Sequence, residues 1–215
     1  MRRLFSILIF LTIILVALFS LKPDSEHSTE TIEGLPWQIE ALPDGRSRVF
    51  GVTLGHSTLE DARKQLGDDM ELAIVVAPGK DTGGLEMFYG HYKAGVFSGK
   101  LVIAADLAPA DVAQLVEHAI KSDYMDSGAR KFTLGPDDLP RALRTPVASM
   151  AFIPVVNLDE TSAIKRFGPA DKTVHVDEHI TRLLYPAKGL EIIINNKGKD
   201  VLQYVAPGDF ERLIK

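Results

Sequence analysis

The sequence has no cysteine among its 215 residues, so a disulfide and a lipid-modified N-terminal cysteine are both excluded. The basic residues form no long run. After residue 21 there are 22 Lys and Arg against 29 Asp and Glu, a formal charge of −7. Because phosphate contacts need clustered cations, we expect that part to bind nucleic acid and anionic lipid poorly.

The first 21 residues contain the one long apolar stretch. Arg2 and Arg3 precede an uncharged run from Leu4 to Leu21, and mostly acidic residues follow it. A helix of about 18 residues reaches roughly 27 Å, close to a hydrocarbon core of about 30 Å. The positive-inside rule then predicts a single-pass anchor over residues 1–21 with a cytoplasmic N-terminus and an exported remainder.

A cleaved signal peptide is the alternative, because such peptides also begin with a basic and then an apolar region. Their apolar region is usually about 7 to 15 residues and ends in small residues, whereas cleavage after Ser20 would leave Leu18 where a small side chain is required. The sequence therefore favours a retained anchor in a bacterial inner membrane, with a periplasmic domain. Residues 22–36 are polar and are predicted to be a linker.

An internal repeat organises the exported part. A strand pattern at Phe50–Leu54 precedes a short helix pattern at Ser57–Gly67, and Phe152–Val156 precedes Asp159–Gly168 in the same way. Ser57 and Asp159 are the predicted N-caps, while Gly67 and Gly168 are expected to end the helices. Each copy closes with strand patterns and a last helix that begins at a proline, Pro109 or Pro207.

This pattern predicts an α+β fold made of two tandem β-α-β-β-β-α units, with antiparallel sheets and helices packed on one face. The first repeat spans residues 37–124, a connector spans 125–147, and the second repeat spans 148–215. In the first copy the last helix is expected from Ala110 to about Asp123. A short helix is expected within the connector, over Asp137–Leu143.

A family resemblance is carried by the segment Gly55-His-Ser-Thr-Leu-Glu-Asp-Ala-Arg-Lys-Gln-Leu-Gly67. It resembles the short helix of the small outer-membrane assembly lipoproteins, and tandem α+β units of this size are similar to the β-lactamase inhibitor protein fold. The resemblance covers about a tenth of the chain per copy and implies a protein that binds proteins and is not an enzyme. The chain departs from the lipoproteins because it lacks their lipidated cysteine.

One segment, His175-Val-Asp-Glu178-His179, matches the H-x-x-E-H pattern of inverted zinc peptidases. The flanking residues are β-rich, so the sequence favours a solvated hairpin with Asp177 and Glu178 in its turn. The alternative is a zinc-dependent hydrolase that uses His175, Glu178 and His179, with Glu191 or Glu211 as a third ligand. The Gly79–Gly84 segment has only the composition of a phosphate loop and is interpreted as a hairpin connection.

Three aromatic residues, Tyr89, Tyr92 and Phe97, surround a predicted turn and would form an interface patch if they projected outward. Packing beneath the helices is the alternative. We expect a periplasm-facing interaction or assembly module for another envelope protein, with no catalytic site, cofactor or metal, and compatible with a homo-oligomer. A small-molecule-sensing domain is the first alternative function, and the zinc-dependent hydrolase is the second.

Overall fold

The computed structural model describes residues 33–214, which lie within one compact unit, Ile32–Lys215. The anchor predicted over residues 1–21, and the predicted linker up to residue 32, lie outside the described residues. Among residues 33–214, no helix is long and apolar enough to cross a membrane.

The described part of the chain alternates short helices with many strands. The strands are β1 (Glu40–Ala41), β2 (Ser47–Val49), β3 (Val52–Thr53), β4 (Glu71–Val76), β5 (Gly84–Ala94), β6 (Phe97–Ala105), β7 (Lys121–Tyr124), β8 (Arg130–Thr133), β9 (Val147–Pro154), β10 (Lys172–His175), β11 (Ile180–Tyr185), β12 (Leu190–Asn195) and β13 (Val201–Val205). The α-helices are α1 (Leu59–Leu66), α2 (Pro109–Glu117), α3 (Leu139–Leu143) and α4 (Glu160–Phe167), and two 3-10 helices span Pro186–Lys188 and Pro207–Arg212.

Ten strands form one antiparallel sheet in the order β10-β11-β12-β13-β9-β6-β5-β4-β8-β7, while β1, β2 and β3 form a separate small sheet. Strand β9 joins the two halves of the sequence, because it pairs with β6 on one side and with β13 on the other. Phe152 of β9 thus stands between Leu101 and Leu202. The prediction of an α+β fold with antiparallel strands is confirmed.

The core lies between one face of this sheet and the α-helices. Met87, Ile103, Met150 and Tyr204 face one another across β5, β6, β9 and β13, and each is at most 2% exposed. All four helices contribute residues to the same apolar cluster, as does Phe50 beside β2 and β3. Because full burial of a large apolar side chain contributes about 1.5–3 kcal/mol, this face supplies most of the hydrophobic stabilisation.

Helices α1 and α4 begin with side-chain caps. The Thr58 hydroxyl accepts a hydrogen bond from the backbone N–H of Asp61, and the Asp61 carboxylate accepts one from the N–H of Thr58. The predicted cap at Ser57 is therefore wrong by one residue, since the Ser57 hydroxyl instead accepts from the N–H of Thr53. Asp159 caps α4, as predicted.

Both helices end at a glycine whose carbonyl oxygen is bound by a tyrosine. Gly67 (φ 102°, ψ 170°) and Gly168 (φ 87°, ψ 177°) adopt a conformation that is essentially restricted to glycine. The Tyr89 hydroxyl donates to the Gly67 carbonyl at 2.9 Å, and the Tyr185 hydroxyl donates to the Gly168 carbonyl at 3.1 Å. The glycines end the helices where predicted, although neither adopts the left-handed helical conformation.

The predicted connector contributes more regular structure than its sequence indicates. The β7–β8 hairpin forms one edge of the large sheet, and β8 pairs with β4. The helix expected from Ala110 to about Asp123 is wrong in its length, because it ends at Glu117 and Lys121–Tyr124 belongs to β7. The short helix predicted before residue 144 is confirmed as α3.

Candidate functional site

The open face is the side of the ten-stranded sheet opposite the four α-helices. Register places Glu71, Phe88, Val102 and Ala151 next to one another on that side, across β4, β5, β6 and β9. These side chains are exposed or half-buried, whereas Met87, one position along β5, faces the helices and is fully buried. The open face therefore carries apolar side chains that the α-helices do not cover.

The open face has a hollow over β4, β5 and β6, which we name the trough. Its volume is about 350 Å³, large enough for a few apolar side chains of a partner. The trough is lined by Glu71, Ala73, Val75, Glu86, Phe88, Val102, Met125 and Lys131.

The charged residues of the trough are not fully paired with one another. Lys131 donates to the Glu71 carboxylate at 2.8 Å, so these two charges offset each other. Glu86 has no cation within ion-pair distance among residues 33–214, and its register neighbours are Ala73 and Ala104. Burial raises the pKa of Glu86, because partial removal from water disfavours the ionised carboxylate. A donor or cation on a bound partner would stabilise the ionised form.

The other end of the open face is covered by the C-terminal segment, residues 207–214. Phe210 packs against Leu184 and Val205, which lie on the open face by their strand register. The Arg182 guanidinium also donates to the carbonyl oxygen of Leu213 at 2.9 Å. The open face thus holds a segment of its own chain through one apolar side chain and one hydrogen bond from a cation to a main-chain carbonyl.

Glu191 lies beneath the C-terminal segment with 0% of its surface exposed. Its Oε1 accepts a hydrogen bond from the Arg182 guanidinium, and its Oε2 has no hydrogen-bond partner in the described part of the chain. A carboxylate is tolerated inside a protein when it is paired with a cation, so Arg182 is required for the burial of Glu191. Arg182 therefore links the sheet, the buried charge and the C-terminal segment.

A second hollow, which we name the cleft, has a volume of about 480 Å³ and lies between the loop 77–83, α2 and the β7–β8 hairpin. The Gly79–Gly84 segment connects β4 to β5, as predicted, with Gly84 as the first residue of β5. The Arg130 guanidinium carbon lies 4.7 Å from the centroid of the Phe132 ring and 5.8 Å from that of Tyr124. No carboxylate pairs with Arg130 within residues 33–214, so its charge is available to an anion.

The His175–His179 segment forms the turn between β10 and β11, which confirms the hairpin interpretation. Asp177 accepts a hydrogen bond from the N–H of His179 at 2.7 Å. His175 Nδ1 lies 3.1 Å from Thr181 Oγ1, whereas His179 Nε2 lies 2.9 Å from Glu178 Oε1. Across residues 33–214, no three His, Asp or Glu side chains are grouped so that they could hold a metal ion.

The aromatic residues around the β5–β6 turn pack inward. Tyr89 is 2% exposed, Tyr92 packs edge-on against Phe50 with ring centroids 5.5 Å apart, and Phe97 packs against Trp37 at 5.2 Å. Burial raises the pKa of both Tyr89 and Tyr92 to about 12. The structure thus has the packed arrangement that the sequence left as an alternative, and these side chains do not form an outward patch.

Phe88, Val102 and Glu86 were not among the predicted site residues. In β5 the order Leu85-Glu86-Met87-Phe88 assigns Glu86 and Phe88 to one face by strand periodicity. That alternation predicts that Glu86 and Phe88 lie on the same face of the sheet. It does not indicate which face the helices leave open.

The comparisons with known proteins provide no family assignment. No protein-family model, curated protein or solved structure matches the chain. The resemblance to assembly lipoproteins and to the β-lactamase inhibitor protein fold therefore stays a prediction.

Proposed function

We propose that the chain is an interaction or assembly module of the bacterial cell envelope, held at the inner membrane by residues 1–21 with its folded domain in the periplasm. Its trough receives an apolar segment of another envelope protein. The observation on which this rests is that one sheet face is covered by the chain's own C-terminal segment at one end and carries an uncovered apolar hollow at the other.

The bound segment is expected to match the chemistry of the trough. Phe88 and Val102 would contact one or two apolar side chains, in the way that Leu184 and Val205 contact Phe210. Glu86 favours a partner that brings a donor or a cation, because its carboxylate has neither in the described residues. We therefore expect an apolar segment containing a Lys or Arg.

The finer architecture that we propose is a tandem of two β-α-β-β-β-α units. It is supported by the repeated cap–helix–glycine arrangement and by the two tyrosines that bind the glycine carbonyls. Such a duplication accounts for a continuous sheet with two comparable halves. In this arrangement the C-terminal segment covers the second half of the open face and leaves the first half for a partner.

Site-specific photocrosslinking of the full chain in cells tests the proposal. A photoreactive phenylalanine analogue at Phe88 should give one recurrent adduct with an envelope protein, because that ring lines the trough. The same group at Glu117, an exposed position on α2, serves as the control and should not give that adduct. Val102→Lys should abolish the Phe88 adduct by placing a charge in the trough, while Trp37 fluorescence verifies that the fold is retained.

The results separate the proposal from non-specific contact. Equal adducts from Phe88 and Glu117, or no adduct from Phe88 at native expression, would contradict docking in the trough. An adduct that persists in Val102→Lys would mean that the crosslinked protein approaches another surface.

A second candidate function, sensing of a small anionic molecule, is favoured by the cleft. Arg130 offers an unpaired cation between two aromatic rings, and Val112 and Val116 of α2 provide an apolar wall. A carboxylate or phosphate metabolite with an apolar body fits this lining. In thermal melts with a panel of such metabolites, a ligand should raise the melting temperature of the native chain and not that of Arg130→Met. The absence of any such ligand would contradict this function and leave the first proposal untouched.

A further inference from the structure

Four connections lie at one end of the ten-stranded sheet. Three of them meet there: the β5–β6 turn at residues 95–96, the β9–α4 loop at residues 155–158 and the β12–β13 turn at residues 196–199. The fourth, the β10–β11 turn, adjoins the last of these, because the N–H of Asn196 donates to the carbonyl of His179 at 3.0 Å. The N–H of Val155 donates to the carbonyl of Ser98 at 2.8 Å, and the Asn157 side chain donates to the carbonyl of Gly198 at 2.6 Å. These hydrogen bonds hold the three connections together as one surface.

Three valines project from this surface into solvent. Val96 is 75% exposed, Val155 is 58% exposed and Val156 is 72% exposed. We call this surface the valine end. Scattered exposed apolar residues are common on proteins, but three branched apolar side chains on two hydrogen-bonded loops form a local patch, and such patches mark contact sites.

Four lysines surround the valines. Lys93 and Lys100 lie on β5 and β6, and Lys197 and Lys199 lie on the β12–β13 turn. In residues 33–214, none of the four has a carboxylate within ion-pair distance. The Lys199 ammonium donates to the carbonyl of Val155 at 2.6 Å, which holds one cation at the rim of the patch.

The acidic residues near these cations have other interactions. On the adjacent β10–β11 turn, Asp177 accepts hydrogen bonds from the N–H groups of His179 and Ile180, and the Glu178 carboxylate lies 2.9 Å from His179 Nε2. The Asp200 carboxylate is buried and accepts hydrogen bonds from the N–H groups of Leu158 and Asn195. Asp159 caps α4. The lysines come from separate segments, so a search for a basic run in the sequence does not reveal them, although they are neighbours in the fold.

The N-terminal part of the domain also reaches this end of the sheet. Pro36 and Trp37 pack beside Phe97, Pro154 and Leu158, which adjoin the three connections. The sequence places 11 residues, 22–32, between the apolar run and the described part of the chain. Fully extended, 11 residues span at most about 40 Å, so an anchor at residues 1–21 would keep the start of the folded domain within that distance of a membrane surface.

We propose that the valine end rests on the surface of the anionic membrane in which residues 1–21 are anchored. The three valines enter the interfacial layer and the four lysines lie among lipid phosphates. This inference rests on the anchor in the proposed function. Each lysine near an anionic surface strengthens binding by about fivefold, and the apolar side chains add a contribution that does not depend on salt.

Membrane contact at the valine end would set the direction of the trough. The strands would run roughly away from the membrane, and the open face would point sideways, parallel to the bilayer. A partner segment docked in the trough would then lie in the periplasm close to the membrane, which matches recruitment of a neighbouring envelope protein.

The absence of cysteine makes a direct test possible, because a single introduced cysteine can be labelled uniquely in the full chain. A fluorophore at Val156→Cys is measured in vesicles that contain phosphatidylglycerol, with one quencher attached to the lipid and another, iodide, in the water. Tyr124→Cys is the matched control, since Tyr124 is 78% exposed and lies at the opposite end of the strands. A label at Ile13→Cys reports independently on the anchor.

We expect the lipid quencher to quench the Val156 label at least several-fold more than the Tyr124 label. Replacing phosphatidylglycerol by phosphatidylcholine, or combining Lys197→Gln with Lys199→Gln, should remove most of that difference. Equal quenching of the two labels would overturn the inference if the Ile13 label is quenched by lipid. If the lipid quencher did not quench the Ile13 label, the proposed membrane anchor at residues 1–21 would be wrong. If the Val156 label were protected from iodide but not quenched by the lipid quencher, a second copy of the chain would cover the valine end. That result would also overturn membrane contact there.

Discussion

Replacing Arg182 by Met should strongly destabilise the domain. The side chain of Arg182 is the cation that pairs with buried Glu191, and its loss would leave that carboxylate between the sheet and the C-terminal segment with no counter-charge. Removal of one partner from a buried ion pair costs about 3–5 kcal/mol. Domains of this kind are stable by about 5–15 kcal/mol, so the change should remove a large share of the total.

Urea unfolding of residues 32–215 can be followed by the fluorescence of Trp37, the only tryptophan in the chain. Its ring lies 5.2 Å from Phe97 and 6.1 Å from Phe167, so its emission should report on the loss of core packing. Arg212→Met is the matched control, because it breaks only an exposed ion pair, the one with Asp209 at 3.3 Å. Exposed pairs contribute at most about 1 kcal/mol, and the control should lose no more than that.

Combining Arg182→Met with Glu191→Leu should recover most of the lost stability, because an apolar pair of similar size removes the uncompensated charge. A loss for Arg182→Met as small as that of the control would refute the argument that this pair is desolvated. If the double variant stayed as unstable as the single one, the hydrogen bond from Arg182 to Leu213 would be the dominant contribution.

Tyr89→Phe and Tyr185→Phe should each lower the free energy of unfolding by about 1 kcal/mol in the same urea titration, because each change leaves a glycine carbonyl without its donor. Gly168→Ala should cost about 1–3 kcal/mol because φ is 87° there, while Gly208→Ala, at a position with open space and no positive φ, should be nearly neutral. Glu86→Gln should stabilise the domain at pH 7 and change little near pH 4, as thermal melts across that range would show. Because the folded-state pKa of Glu86 is raised, protonated Glu86 contributes to the free energy of unfolding below its unfolded-state pKa, and that contribution is lost as the pH rises through its folded-state pKa. Equal effects of Glu86→Gln at both pH values would contradict this reasoning.

Local signals in the sequence located much of the fold. Asp159 could be assigned as a cap, and Gly67 and Gly168 as helix ends, because each of these roles depends on residues within a few positions. The error at Ser57 has the same local origin, since two neighbouring hydroxyl residues compete for one cap and a contact with the N–H of Thr53 decides between them.

Features that depend on distant pairing were missed. Strand β8 is only four residues long and is held by pairing with β4, about 57 residues earlier, so its own sequence carries little signal. The site shows the same limit. Strand alternation could group Glu86 with Phe88 on one face. Phe210 covers one half of that face and leaves the other open, and its location depends on how distant parts of the chain pack together.

The position of β9 between β6 and β13 also bears on how the chain acquires its structure as it emerges from the ribosome or a translocon. Strand β6 is complete long before β9 appears, and it has no neighbour on one edge until Val147–Pro154 has been made. Strand β9 in turn keeps an unpaired edge until β13, near the end of the chain, has followed. Exposed strand edges are templates for wrong pairing. The newly made chain should therefore be vulnerable to aggregation until β13 is available. A chain truncated within β13 should be degraded entirely and should leave no stable first half.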